Sequence, residues 1–200
     1  MNQHAEMTAA AEAAARVVDA VRPEQFTAAT PCSEWDVREL LNHLILWTSY
    51  SLERRAHGES VAPELTEADF AASPSFASGY RAQLARALDA WSDPAVWERE
   101  LPVMGAATPA ADVAALIIAE LVLHGWDLAV ATGQRFAVAE DAAAAALTAI
   151  EANAELFRQY KGFAEPMPAS ADAGTLDRAL ALSGRDPRWQ APARWQAPAR

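Results

Sequence analysis

Residues 108–133, TPAADVAALIIAELVLHGWDLAVATG, decide the fold. Thr108 reads as an N-cap and Pro109 as the first helical residue; Gly133 stands just past an end near Thr132. Together they predict one long helix. Val113, Leu116, Ile117, Leu128 and Ala131 fall on one side of it at helical spacing. Glu120 and His124, four residues apart, share that apolar face. A carboxylate and an imidazole on a core-facing seam are costly unless paired or bound to a metal. Side chains at this spacing start about 6 Å apart, which makes E-x-x-x-H a natural two-ligand chelate.

A second segment supplies a matching feature. In LLNHLILW, residues 40–47, His43 lies on the seam with Leu40 and Trp47. Ser33 as N-cap, with Asp36 three residues later, is expected to open this helix, which runs to about His57 and stops at Gly58. If the two helices are neighbours, His43, Glu120 and His124 converge. Two imidazoles and one carboxylate leave coordination positions open, a set that suits Zn²⁺ and also Fe²⁺ or Ni²⁺. From spacing alone, two blander readings stand beside this one. His43 can be a satisfied core histidine, and Glu120 and His124 a solvent-facing ion pair.

The remaining chain reads as further helices: about His4–Arg22, halted by Pro23; Ser75–Trp91; Glu140–Tyr160; and a short one near Thr175–Leu182. Residues 59–74 and 92–108 read as irregular connections, and no stretch shows strand alternation. The expected class is all-α: an antiparallel four-helix bundle with an additional helix and a short C-terminal helix. Residues 1–187 are expected to form this one domain. Residues 188–200 contain WQAPAR twice, at 189–194 and 195–200. They read as a duplicated, flexible tail, or as a Trp-bearing segment that packs on a surface or partner.

Composition agrees. About a quarter of the 200 residues are Ala, the best helix former. At 52% hydrophobic there is ample material for a core. A net charge of -11 argues against a nucleic-acid footprint and against an anionic membrane surface. The run Val113–Ala119 is interrupted by Glu120, short of the roughly 18 residues a membrane helix needs. Cys32 stands alone, so no intrachain disulfide is expected, and the N-terminus lacks a signal-peptide pattern. A cytoplasmic chain follows as the expectation.

TPCSEWDVRELLNHL, residues 30–44, and ELVLHGWDLAVATGQ, residues 120–134, resemble the mycothiol-dependent maleylpyruvate isomerase N-terminal family of the DinB-like superfamily. LDRALALSGRDPRW, residues 176–189, resembles the close of a shorter actinobacterial branch of metal-binding proteins. The resemblance implies a DinB-like helical bundle holding a metal, usually taken as zinc. Its ligands would be the His of W-D-V-x-x-L-x-x-H and the Glu and His of E-x-x-x-H, matching His43, Glu120 and His124. It also implies a low-molecular-weight thiol, mycothiol, as cosubstrate. The isomerases carry a further C-terminal domain, which a chain of this length is expected to lack.

Around these positions, Asp127 can accept a hydrogen bond from the His124 imidazole, or simply place a charge near a helix end. Trp47 and Trp126 can wall a pocket or pack the core. Asn42 and Tyr50 can line its mouth. Cys32 reads as a small buried residue, and His57 suits a helix C-terminus. The leading expectation is a metal-dependent S-transferase or isomerase that brings a thiol to a small electrophile. No separate general base can be named. The alternatives are a hydrolase using metal-bound hydroxide and a non-catalytic metal-binding or interaction bundle, either as monomer or homodimer.

Overall fold

The computed structural model describes residues 3–103 and 106–192. Its helices are α1 (Gln3–Asp19), α2 (Val37–Ile45), α3 (Ser51–Ala56), α4 (Pro63–Thr66), α5 (Phe76–Ala90), α6 (Pro94–Trp97), α7 (Ala110–Ala131), α8 (Glu140–Gln159) and α9 (Thr175–Leu182). The helical class expected from the sequence is the observed one. One addition breaks it: β1 (Glu100–Val103) and β2 (Ala106–Pro109) pair antiparallel, with Leu101 opposite Thr108. This corrects the reading of residues 92–108 as irregular. Because Thr108 and Pro109 belong to β2, helix α7 opens at Ala110, with Pro109 as its N-cap.

Helix α7 is the centre of the molecule and packs against α1, α2 and α8. Small residues on α1, among them Ala10, Ala11 and Ala14, let it approach Val113, Ile117 and Leu121 closely; all six are buried. By length and composition α7 could cross a bilayer, contrary to the expectation from its interruption at Glu120. Its most apolar window is 78% buried inside the protein, as befits a central core helix. Across the other side of α7, Leu123 and Trp126 pack with Leu147 and Ile150 of α8 and Leu180 of α9.

Two local departures set the site. Helix α2 starts one turn later than expected. Asp36, not Ser33, is the N-cap, in a capping box with Glu39 (Glu39 N to Asp36 Oδ1, 3.0 Å; Asp36 N to Glu39 Oε2, 2.9 Å). The loop before it is turned by Thr30, whose hydroxyl accepts from Cys32 N and donates to the Trp35 carbonyl. Beyond α2 the helix does not continue evenly to His57. Residues Leu46–Tyr50 form a π-helical segment, in which the Thr48 and Ser49 hydroxyls donate to the carbonyls of Leu44 and Ile45. Thr48 also meets the buried Tyr80 hydroxyl at 2.8 Å, tying this segment to α5.

The chain past α9 is positioned by a glycine. Gly184 has φ of 84°, Gly184 N donates to Ala181 O, and Arg185 N donates to Leu180 O. This is a Schellman ending, and it fixes where Arg185 leaves the helix. A Cβ on Gly184 would sit 2.7 Å from Ala164 Cβ and 2.9 Å from its backbone. Trp189, the first Trp of the repeated tail, is half-buried against the core; Trp195 and the second copy lie outside the described residues. Gly184→Ala should therefore carry two penalties, left-handed strain and backbone overlap, each of order 1–3 kcal/mol. Gly58→Ala, also at positive φ but with nothing within 4 Å, should carry only the first. Urea unfolding of both variants checks this; equal losses would contradict it.

Candidate metal centre

Helices α2 and α7 bring the three expected ligand residues together. His43 Nε2 lies 3.0 Å from Glu120 Oε2, and His124 Nε2 lies 3.4 Å from the same oxygen. The donor atoms of all three lie within 4.8 Å of one another. Their side chains are 22%, 34% and 10% exposed, so the cluster is sheltered yet reachable.

Asp127, one turn beyond His124, completes the support. Its Oδ2 is 3.0 Å from His124 Nδ1. A carboxylate only accepts, so Nδ1 carries the hydrogen and Nε2 faces Glu120. Asp127 is fully buried and is met by Arg185, whose Nε and Nη2 each donate at 2.8 Å in a two-pronged pair. Cys32 Sγ donates to Asp127 Oδ2 at 3.2 Å and lies 3.9 Å from His124 Nδ1.

These contacts set the titration. Burial works against every charge here, and the pairing outweighs it. Glu120 is held well below the usual carboxylate range, because the His124 and His43 imidazoles more than offset its desolvation. His124 is held well above the usual imidazole range by Glu120 and Asp127, against its burial. Asp127 is pulled down to about 2, chiefly because Arg185 overcomes its desolvation.

Sequence reasoning missed three residues at this site. Trp35 packs over both imidazoles, with ring centroids 4.5 Å from His43 and 5.8 Å from His124. Arg185 reaches Asp127 from 58 residues away. Cys32, read as a small buried residue, is half-buried and lines the cavity. All three lie inside the stretches 30–44 and 176–189 already singled out, which was the available signal. Trp47 lies 6.4 Å from the His43 ring and lines a cavity of about 360 Å³. Trp126 does not line it. Two residues past His124 it points to the opposite side of α7 and is buried in the cluster with Leu147 and Leu180. Asn42 ties down the 63–72 connection through Asp69 Oδ1 and Ala71 N, and Tyr50 stacks on Phe70 at 5.1 Å. A larger cavity of about 560 Å³ reaches His43, Glu120 and His124 from the side of Cys32 and Arg185.

The model for the mycothiol maleylpyruvate isomerase N-terminal domain matches residues 7–129. The chain belongs to that family. Two solved structures share the fold. A mycothiol-dependent maleylpyruvate isomerase matches with a TM-score of 0.65 at 17% identity, over 99% of this chain and 95% of that one. A histidine-to-alanine mutant of such an isomerase matches with a TM-score of 0.55 at 19% identity, over 72% of this chain and 67% of that one. An uncharacterized protein of Mycobacterium tuberculosis is 25% identical over 190 residues, 90% of this chain and 95% of the relative; the match is the same in strains CDC 1551 and H37Rv.

The buried pair yields a stability prediction. Folded Asp127 binds its proton less tightly than an unfolded Asp, whose pKa is about 3.9. Its pairing therefore stabilises the fold above about pH 4 and is lost as pH falls toward 2. Asp127→Asn strands the Arg185 charge and should cost about 3–5 kcal/mol at neutral pH. It should also flatten the acid limb of the stability curve. Denaturant unfolding from pH 2 to 7 checks both; an unchanged acid limb would contradict the assignment.

Proposed function

We propose that the protein is a metal-dependent enzyme that brings a low-molecular-weight thiol to a small electrophile, as an S-transferase or an addition–elimination isomerase. The observation that carries this is the convergence of His43, Glu120 and His124 from two helices beside a cavity of about 560 Å³. Membership of a family named for mycothiol-dependent chemistry supports the thiol.

The donor chemistry fits a divalent cation. Two imidazole nitrogens and one carboxylate oxygen suit zinc, with nickel or iron as alternatives, and leave room for an exogenous ligand. When bound, the cation would supply Lewis acidity that lowers the pKa of a thiol. The chain's own residues do the rest. Asp127 holds the His124 Nδ1 hydrogen, so that the Nε2 lone pair is presented to the cluster once its proton has left. Arg185 keeps Asp127 ionised and in place. Trp35 lies against both imidazoles and shields them from water. The half-buried cavity admits a small molecule while limiting competing hydration.

Metal analysis of the purified protein should find about one divalent ion per chain, lost in His43→Ala and His124→Ala variants that keep native circular dichroism. Asp127→Asn should weaken metal affinity by about 10–100-fold without removing a ligand. Conjugation of mycothiol to a panel of electrophiles should require the metal. Stoichiometric metal with no thiol dependence would overturn the thiol reading. Undiminished metal in both His variants would overturn the site.

A further inference from the structure

Another cavity, of about 540 Å³, lies between α1, α7 and α8 and shares no lining residue with the two at the candidate centre. Its wall is largely aliphatic, with Ala115, Leu116 and Ile118 from α7 and Ala149 from α8. Glu6 of α1 also lines it. That residue is only 9% exposed, yet it makes no hydrogen bond and no ion pair among the described residues. A buried carboxylate is ordinarily met by a donor or a cation, because an unmatched one forfeits its hydration.

Nothing on the wall supplies that match. Among the described residues that line the cavity there is no Lys, Arg or His. The side-chain donors are turned to backbone carbonyls: Gln3 Nε2 to Ala111 O at 3.1 Å, Thr148 Oγ1 to Ala144 O at 3.0 Å and Asn153 Nδ2 to Ala149 O at 2.8 Å. A second acid, the exposed Asp112, stands at the rim in the first turn of α7. The Gln3–Ala111 contact brings the two acids to one end of the cavity, since Glu6 lies one turn beyond Gln3 and Asp112 follows Ala111. Helix N-termini favour acidic residues in their first turns, but that explains neither the burial of Glu6 nor the cavity it lines.

We propose that this cavity binds a small organic ammonium ion, with its cationic nitrogen on Glu6 and Asp112 and its aliphatic body along Leu116, Ile118 and Ala149. The volume falls within the range of small-molecule sites, about 300–1,000 Å³. A hard metal ion takes about six or more oxygen ligands, which a mostly apolar wall does not offer. An alkylammonium brings three donors for the two acids and an apolar stem for the wall. The chain's net charge of -11 also favours a cation over an anion. The site stands apart from the metal reading and does not rest on it.

The test is NMR titration of the ¹⁵N-labelled full chain with n-pentylammonium and with its neutral isostere 1-pentanol, with chelator present so that no metal can hold the amine. Pentylammonium should bind and shift amides within residues 3–10, 111–118 and 145–153. Pentanol should bind about tenfold more weakly or worse. Glu6→Gln, which keeps the size and removes the charge, should weaken pentylammonium binding by about tenfold. Asp112→Asn, at an exposed position, should weaken it by about threefold. Ala115→Leu, which fills the cavity from its wall, should weaken both probes. Equal affinity for the two probes would overturn the site. So would wild-type affinity in Glu6→Gln or, where that variant does not fold, in Asp112→Asn. Amide shifts centred on residues 43 and 120–124 would place the amine at the candidate centre and overturn it as well.

Discussion

Asp127 is a carboxylate with no solvent exposure, on the central helix of the protein, and it must be neutralised from within. Arg185 does this with two parallel hydrogen bonds. Much of the candidate centre hangs on that pair. It fixes the oxygen that His124 Nδ1 meets, and thereby the direction of Nε2. It anchors the Cys32 loop, which leads into Trp35 and the cap of α2. It also ties the end of α9 to the middle of α7, so the left-handed turn at Gly184 becomes part of the site's scaffold.

The same burial explains why the cluster is unusual. On α7 the residues around Glu120 and His124 are apolar and mostly buried, among them Ile117, Leu121, Leu123 and Leu128. Removing such groups from water stabilises the fold, and it makes each ionisable neighbour costly. Glu120, His124 and Asp127 nonetheless sit within eight residues of one another. Each is matched: Glu120 by two imidazoles, His124 by two carboxylates, Asp127 by a guanidinium. A structure that needed only stability would reach it more cheaply with aliphatic side chains at these positions.

The helical fold was legible because its signals are local. Helix α7 is apolar along its length and ends just before Gly133, though it is buried on nearly every side rather than along one face, and α9 spans Thr175–Leu182 as read from the sequence. The hairpin was not legible. Its strands carry Pro102 and Pro109, lack alternation, and are held by pairing with one another. Nor was the π-helical segment, since Leu46–Tyr50 contains neither Gly nor Pro to mark it. At the site, His43, Glu120 and His124 could be named because two helix faces and two motifs marked them. Arg185 and Trp35 could not, because each acts from a loop and its role depends on tertiary contact. Trp126 shows the limit of adjacency in sequence: it neighbours His124 along the chain and faces away from it.

We propose that His43, Glu120 and His124 hold one metal ion. Anomalous diffraction from a crystal of the purified protein, recorded on either side of the zinc absorption edge, tests it most directly. A single anomalous peak is expected at about 2.0–2.2 Å from His43 Nε2, a Glu120 carboxylate oxygen and His124 Nε2. The peak should vanish below the edge. A well-ordered crystal of zinc-supplied protein with no density there, or with its metal held elsewhere, would contradict it.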